Sequence, residues 1–315
     1  MSGVTNDHIT RRDALRYGGT TGVVLLAAGC LGEDGDPEAA AEDDEGGAED
    51  DDGEIEADEN DEENGEAEGI VVGTEAGFPP FEMIEDGEIV GFDVDLTEAV
   101  LEEAEGYEHE EWQDMEFGSL IPALEDGSID LIAAAMTITE EREEQIAFTD
   151  PYFSADQSVL VAEDADFQPE SLEDFDGQTV AAQVGTTGEG VVEEELIEEG
   201  RIGEGDYSSY DSYVLAVEDL ERGIVEAIVI DEPVGDTFAD ERNVEVAFTH
   251  ETGEEFGLGV RQEDDDLREA LNEGLATIEE DSTFDDLVAE WFGGDDADED
   301  DEDEDDEQSV AGLVG

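Results

Sequence analysis

The chain has 315 residues and a formal net charge of −92, with 101 acidic residues against 9 basic ones, all of them arginine. This charge excludes nucleic acid as a partner, because two polyanions repel each other. It favours a protein that works in concentrated salt, where the screening length falls to about 3 Å at 1 M. A polyacidic chaperone or a mineral-binding protein would be similarly charged, but neither would need the regular apolar pattern of residues 69–294.

Residues 1–30 are typical of an export signal. Arg11 and Arg12 precede a short apolar run that ends in small residues and the chain's one cysteine, in "TRRDALRYGGTTGVVLLAAGC". The stretch resembles a twin-arginine signal followed by a lipobox, with Cys30 as the acylated first residue of the mature protein. Ala27 departs from the pattern, since lipoboxes usually carry leucine at that place. The alternative is a cleaved signal with an incidental cysteine; a lone cysteine forms no intramolecular disulfide.

Two acidic segments flank the remaining chain. Residues 31–68 contain almost no large apolar side chains, which predicts a disordered tether. Residues 295–315 begin with "DDADEDDEDEDDE", which predicts a disordered acidic tail. The acidic run lacks the glycine and the ligand spacing of a calcium-binding loop, and the three histidines have no metal-ligand spacing. We therefore expect neither a metal nor a cofactor.

Residues 69–294 alternate between strand-like and helix-like patterns. The short apolar runs that predict strands are "IVVGT", "DLIAAAM", "QSVLVA", "TVAAQV", "EAIVID" and "FGLGV". The segments with helical spacing are "DLTEAVLEEA", "SLIPALEDG", "GVVEEELIEEG" and "DDLREALNEGLATIEE". This alternation predicts an α/β fold with mainly parallel sheets. Because ligands of such sheets bind at the carboxyl ends of the strands, residues just after the strands are the candidate site residues.

Six stretches in this region carry a family resemblance: "GTEAGFPPFE" (73–82), "GEIVGFDVDL" (87–96), "EFGSLIPALEDGSIDLIAAAMTITEER" (116–142), "QVGTTGEG" (183–190), "IDEP" (230–233) and "TFDDLVAEWFG" (283–293). Together they resemble the extracellular amino-acid-binding proteins of ABC importers, solute-binding family 3, of a halophilic archaeal type. The resemblance implies a two-lobed periplasmic-binding-protein-like fold. Each lobe is expected to be a mostly parallel sheet flanked by helices, and two crossover strands to join the lobes. The expected limits are 69–160 and 253–294 for lobe 1 and 161–252 for lobe 2.

The resemblance implies a site for the α-carboxylate of an amino acid. Arg142 would pair with the carboxylate, and the backbone N–H groups of Thr137 and Thr187 would complete the site. Arg142 lies in the first turn of a predicted helix, where the helix dipole disfavours a cation, so stability alone does not explain it. A guanidinium forks onto a carboxylate with two parallel hydrogen bonds, which lysine cannot do. The alternative is a surface ion pair with Glu140 or Glu141. In the free protein we expect Arg142 to be wetted by an open cleft.

The resemblance also implies a site for the α-ammonium group. Asp231, which ends a predicted strand, would hold the ammonium from the other lobe. At position 135 relatives often have a hydroxyl-bearing residue, whereas this chain has Ala135, whose backbone carbonyl remains as an acceptor. The alternative for Asp231 is a helix N-cap, because Glu232 and Pro233 suit a first helical turn.

Three further residues are implied to surround the ligand side chain. Phe78 and Phe117 would lie on either side of it, and Glu75 would face its far end. Both aromatic residues could instead belong to the core, although Phe78 lies between glycine and proline in a loop after a strand. A carboxylate at the far end favours glutamine, another polar amino acid or a basic one, and disfavours glutamate and aspartate.

These features predict a lipid-anchored binding protein on the extracellular face of the membrane. It would act as a monomer, capture an amino acid by cleft closure and pass it to a membrane-embedded ABC permease. We expect no enzyme activity, because the sequence shows no nucleophile with a base and no phosphate loop. One alternative is an exported dehydratase of the same fold acting on a cyclic carboxylic acid, with Glu75 as the general base. Another is a sensory ligand-binding module.

Overall fold

The computed structural model describes residues 67–293, so the predicted export signal with Cys30, nearly all of the predicted tether and the predicted acidic tail lie outside the described residues. None of the helices between residues 67 and 293 has the length and hydropathy that a membrane crossing requires.

The strands of the described chain are Glu68–Thr74 (β1), Met83–Glu85 (β2), Glu88–Val90 (β3), Tyr107–Asp114 (β4), Leu131–Ile132 (β5), Ala147–Phe148 (β6), Phe153–Ala162 (β7), Val180–Gln183 (β8), Tyr207–Tyr210 (β9), Ala227–Asp231 (β10), Val244–Phe256 (β11) and Gly259–Val260 (β12). Its helices are Phe92–Glu103 (α1), Phe117–Asp126 (α2), Glu140–Glu143 (α3), Thr187–Val191 (α4), Tyr213–Glu221 (α5), Glu232–Glu241 (α6), Asp265–Glu280 (α7) and Thr283–Phe292 (α8).

Two five-stranded sheets have the same strand order. In the first sheet, β4-β1-β5-β12-β6, β1 is parallel to β4 and β5, and β12 is antiparallel to β5 and β6. In the second, β9-β8-β10-β7-β11, β8 is parallel to β9 and β10, and β7 is antiparallel to β10 and β11. In each sheet one strand is antiparallel to the other four: β12, which follows β11 of the second sheet, and β7, which follows β6 of the first sheet. The predicted two-lobed α/β fold with mostly parallel sheets is confirmed.

Helices cover both faces of each sheet. In the second sheet Val229 packs with side chains of α4 and of the π-helical turn that follows it, whereas its neighbour Ile228 packs with α5 and α6. In the first sheet Leu131 packs with α1 and α7, and Ile132 packs with α2. Because both faces are buried, the inner strands read as continuous apolar runs rather than as alternating ones. The first sheet with α1, α2, α7 and α8 is called the first lobe below, and the second sheet with α4, α5 and α6 the second lobe.

Two long antiparallel strands connect the lobes. β7 and β11 pair from Phe153↔Phe256 at one end to Ala162↔Val244 at the other. The predicted lobe limits at 160/161 and 252/253 fall within these two strands.

Some predicted elements differ in the structure. The predicted strand "DLIAAAM" is a strand only at Leu131–Ile132, because the chain then leaves the sheet and Ala135 turns it with a φ of 43°. The predicted helix "GVVEEELIEEG" is α4 followed by a π-helical turn over Val192–Glu198. The apolar runs did not predict the hairpin strands β2 and β3 or the four sheet edges β4, β6, β9 and β11. Strand β6 has only two residues, and the other three edges have many exposed or half-exposed polar side chains, as in "YEHEEWQD", and so give no apolar run.

Candidate functional site

The candidate site lies at the topological switch point of each sheet, where the connections from two adjacent strands run in opposite directions and leave a crevice between them. In the first sheet this point is between β1 and β5, and in the second it is between β8 and β10, at the carboxyl ends of the strands. One cavity draws residues from all four of these places: Glu75, Phe78, Glu82, Phe117, Ala134, Ala135, Thr137, Arg142, Gln183, Thr186, Thr187 and Asp231. The structure therefore brings together all eight residues that the sequence analysis selected for ligand binding. Four of the lining residues were not selected: Glu82, Ala134, Gln183 and Thr186.

The cleft between the lobes is closed in this structure. The Thr137 hydroxyl of the first lobe lies 2.9 Å from the Thr187 hydroxyl of the second. Nη2 of Arg142 donates to the Gly185 carbonyl across the cleft at 3.0 Å. These two contacts join the two sides of the cavity.

Arg142 is held by backbone carbonyls rather than by acids. The short helix α3 begins after Thr139, whose hydroxyl accepts from the Arg142 N–H at 3.2 Å. The guanidinium donates Nη1–H to the Thr137 carbonyl at 2.6 Å and Nη2–H to Gly185, and it lies 5.3 Å from the centre of the Phe117 ring. Two of its five donors are thus used, which leaves enough for a forked contact with a carboxylate.

The surroundings of Arg142 correct one expectation and test one alternative. Its side chain is buried, with 9% exposed, and is not wetted, because the closed cleft covers it. Burial lowers its pKa, and the charges of Asp231 and Glu254 oppose that change. Among residues 67–293 no carboxylate lies within 4.0 Å of the guanidinium, so the surface ion pair with Glu140 or Glu141 is absent.

Asp231 ends β10 and faces the cavity from the second lobe. It occupies the N-cap position of α6, but its side chain accepts no capping hydrogen bond, so capping does not account for the carboxylate. Only 4% of the residue is exposed. Burial raises the pKa of its carboxyl and the charge of Glu254 raises it further, while Gln157 and Arg142 oppose the rise. A cation placed beside it would favour the ionised form.

Glu75 and Glu82 bring two more carboxyl groups to the cavity. Glu75 follows β1, and burial raises its pKa to about 7 against the opposing effect of Gln183. Glu82 is 1% exposed, and burial together with the charges of Asp93, Glu75 and Asp231 raises its pKa well above the usual range. The Glu82 Oε2 atom has no hydrogen-bond partner within the described chain. Such a group is an unsatisfied acceptor that a donor on a ligand would satisfy.

A buried glutamate on one of the connecting strands contacts the Thr137 side of the cavity. Glu254 of β11 accepts from the Thr137 hydroxyl at 2.8 Å, from Nε2 of Gln157 at 2.9 Å and from the Thr252 hydroxyl at 2.9 Å. The Thr137 hydroxyl is therefore the donor in its contact with Glu254. Since Thr137 has only one hydroxyl proton, Thr187 is the donor in the contact between the two hydroxyls.

The two aromatic residues lie in different environments. Phe78 is 7% exposed and belongs to the core, with its ring 5.7 Å from that of Tyr213 across the cleft, so it both packs in the core and lines the cavity. Phe117 begins α2 and is partly buried against the cluster under that helix. The rings are thus available on the cavity wall, with Arg142 against one of them.

The residues that were not selected lie inside stretches that the sequence analysis did single out. Glu82 ends "GTEAGFPPFE", and Gln183 and Thr186 belong to "QVGTTGEG". Their burial was the missing information, because one buried glutamate looks like any other in a chain with 101 acidic residues. Between residues 67 and 293 no group of three or more histidine, cysteine, aspartate or glutamate side chains is arranged to hold a metal ion.

Comparison with known proteins agrees with this architecture. The family model of "Bacterial extracellular solute-binding proteins, family 3" matches residues 70–294. The arginine-binding extracellular protein ArtP of Bacillus subtilis is 32% identical over 231 residues, 72% of this chain and 87% of that protein. The histidine-binding periplasmic protein of Escherichia coli is 32% identical over 244 residues, 72% of this chain and 88% of that protein. An ancestral arginine-binding protein solved with arginine has a TM-score of 0.67 and 36% identity, covering 71% of this chain and 98% of the other. The chain therefore belongs to the bacterial extracellular solute-binding proteins of family 3.

Proposed function

We propose that this chain captures a basic amino acid by closure of its cleft and delivers it to an ABC permease at the outer face of the membrane. The observation that carries the proposal is the charge of the cavity wall. Three carboxyl groups, those of Glu75, Glu82 and Asp231, face one guanidinium, that of Arg142. Burial raises the pKa of all three carboxyl groups, and a cation placed beside them would favour their ionised forms, in which the cavity holds two negative charges in excess.

The excess charge selects among amino acids. An α-amino acid with a neutral side chain brings no net charge, so glutamine leaves both excess charges in place. A basic amino acid brings one net positive charge and offsets one of them. Glutamate or aspartate would add a third negative charge. Since charge buried without a partner costs several kcal/mol, the cavity favours a cationic side chain.

The proposed pose follows from where the charges lie. The α-carboxylate takes the remaining donors of Arg142 and the N–H groups of Thr137 and Thr187. The α-ammonium lies at Asp231 and the Ala135 carbonyl. The cationic side chain passes Phe78 and Phe117 and reaches Glu75 and Glu82. The names of the related arginine- and histidine-binding proteins support this class of ligand.

A thermal-shift panel of the twenty amino acids in molar salt tests the proposal. A ligand present at 100 times its dissociation constant stabilises the protein by about 2.7 kcal/mol. Arginine, lysine or histidine should give the largest upward shift of the melting temperature, and glutamate and aspartate the smallest. A panel in which no basic amino acid shifts the melting temperature would contradict the proposal.

An exported dehydratase of the same fold remains the enzymatic alternative. The observation that favours it is the pKa of about 7 at Glu75, since a general base works best when its pKa lies near the operating pH. Incubation with prephenate-type cyclic acids, followed by absorbance, distinguishes the two functions. The binding proposal predicts no product.

We also propose twin-arginine export, a lipid anchor at Cys30, a monomeric state and adaptation to concentrated salt. The sequence motifs and the net charge of −92 support these points. Cys30→Ser should release the exported protein into the medium. Membrane association of this variant in a detergent-free fractionation would contradict the anchor.

A further inference from the structure

A strained residue lies on the cavity wall. Ala135 has a φ of 43°, in the left-handed region that residues with a β-carbon rarely adopt. It is one of three non-glycine residues between 67 and 293 with a positive φ, and the other two, Asp86 and Ser282, lie outside the cavity wall. Such a conformation persists only where neighbouring contacts hold it.

One buried carboxyl group makes that contact. Oδ2 of Asp93, in the first turn of α1, accepts from the Ala135 N–H at 2.7 Å and from the Tyr152 hydroxyl at 2.7 Å. Asp93 is 0% exposed, and its other oxygen, Oδ1, has no hydrogen-bond partner in the described part of the chain. Both hydrogen bonds of this carboxyl group therefore act on the turn at Ala135 and on the start of the connecting strand, where the Tyr152 N–H donates to the Phe256 carbonyl.

The turn at Ala135 determines where the ligand-binding backbone lies. Ala134, Ala135 and Thr137 all line the cavity. The Thr137 carbonyl holds Nη1 of Arg142 at 2.6 Å, so a shift of the turn moves the guanidinium as well. Asp93 itself is not among the residues that line the cavity.

We infer that Asp93 is a positioning residue for the amino-acid site: it holds Ala135 in its left-handed conformation, and this places the backbone of residues 134–137 and the guanidinium of Arg142 for the ligand. The inference rests on the proposed function. The competing role is a stabilising charge in the first turn of α1, where an acidic residue is favoured by the helix dipole. Asp95 occupies the same turn, does not line the cavity, and accepts from Nε1 of Trp291 at 2.8 Å.

A double-mutant cycle separates the two roles. Arginine is titrated by calorimetry in molar salt into the wild type, Asp93→Ala, Ala135→Gly and the double variant. Asp93→Ala should weaken arginine binding by about 10- to 100-fold, as expected for the loss of a charge-assisted hydrogen bond. Glycine adopts a positive φ without steric strain. In the Ala135→Gly background the same aspartate substitution should therefore cause a loss at least about threefold smaller.

Matched variants keep the test decisive. Asp95→Ala removes an acidic residue from the same helical turn, and its effect should be equal in both backgrounds. If Asp93→Ala does not fold, Asp93→Asn, which keeps the volume and one acceptor, goes through the same cycle and should show the same sign of coupling. Equal losses in the wild-type and Ala135→Gly backgrounds would overturn the positioning role. A wild type that binds none of arginine, lysine and histidine would overturn the proposed function itself, and the inference with it.

Discussion

The outer surface and the cavity use the scarce positive charge in opposite ways. Of the five arginines of residues 67–293 that lie outside the cavity, four (Arg222, Arg242, Arg261 and Arg268) have a carboxylate oxygen at 2.6 to 3.1 Å, and the fifth, Arg201, donates to a backbone carbonyl. In the cavity Arg142 donates to carbonyls, while three carboxyl groups lie on the same wall without a salt bridge to any arginine of residues 67–293. Ion pairs near a protein surface individually contribute little to stability. Buried charges without partners are costly, so their concentration at one place indicates a site that a charged ligand completes.

The largest expected effect comes from the acidic surface: removal of salt should unfold the protein. The repulsion among acidic side chains is screened over about 3 Å at 1 M salt but over about 10 Å at 0.1 M. We therefore expect the protein to lose its cooperative fold in low-salt buffer, monitored by circular dichroism. A native spectrum that stays unchanged at low salt would show that the charge density does not require screening.

The next effect concerns Arg142, the cation of the cavity. Arg142→Ala removes one partner of a proposed buried charge pair, a loss of about 2–5 kcal/mol, which is roughly a 30- to several-thousand-fold lower affinity for arginine. Arg142→Lys should recover only part of it, because a point charge cannot make the forked contact. Because Arg142 is buried and bound to two carbonyls, the ligand-free melting temperature should fall too.

The control for this prediction is Arg222→Ala. Arg222 is an exposed surface arginine that is paired with Glu218 and Asp219. Calorimetry should give this variant the affinity of the wild type. Wild-type affinity in Arg142→Ala would remove the basis for the carboxylate site.

A smaller effect is expected on selectivity. Glu75→Gln and Glu82→Gln each keep the volume of the side chain and remove its charge. Each should reduce the preference for arginine over glutamine by about tenfold, equivalent to about 1.4 kcal/mol, without abolishing binding of the α-amino-acid group. The surface variant Glu218→Gln serves as the control. An unchanged ranking of ligands in both cavity variants would show that neither carboxylate meets the ligand side chain.

The smallest expected effect is on the pH dependence: the stability of the ligand-free protein and its affinity for a cationic ligand should change in opposite directions with pH. Burial raises the pKa of Glu75 and of Asp93 to about 7, from ordinary values near 4, so the folded protein retains protons that the unfolded chain has released. The stability of the ligand-free protein is therefore highest below about pH 4 for these groups and falls as the pH rises through about 7. A cationic ligand requires ionised Glu75, so its binding releases protons and its affinity rises over the same range. Melting temperatures and calorimetry between about pH 5 and 8 should show the two slopes with opposite signs; slopes of equal sign would contradict a cationic ligand.

Much of the fold was predictable because its signals are local. Helix α7 has the predicted limits, since an apolar residue recurs every three or four positions from Leu267 to Ile278. The inner strands were predicted because both of their faces are covered. The edge strands β4, β6, β9 and β11 were not, because β6 has only two residues and half-exposed strands rich in polar side chains carry no apolar run. Strand β5 was predicted too long, because the apolar run continues through Ala135 and does not reveal that this residue turns the chain with a positive φ.

The sequence by itself determined the alternation of strands and helices, the family and the eight residues that meet in one cavity, because strand ends and short motifs are local features. Only the tertiary structure decided which acids among so many are buried. Glu82, Asp93 and Glu254 have no distinguishing pattern in a sequence where acidic residues are everywhere, and their roles depend on neighbours far away in the chain. The desolvation that raises the pKa of a carboxyl group arises only when these distant segments pack around it, so the sequence pattern does not reveal it.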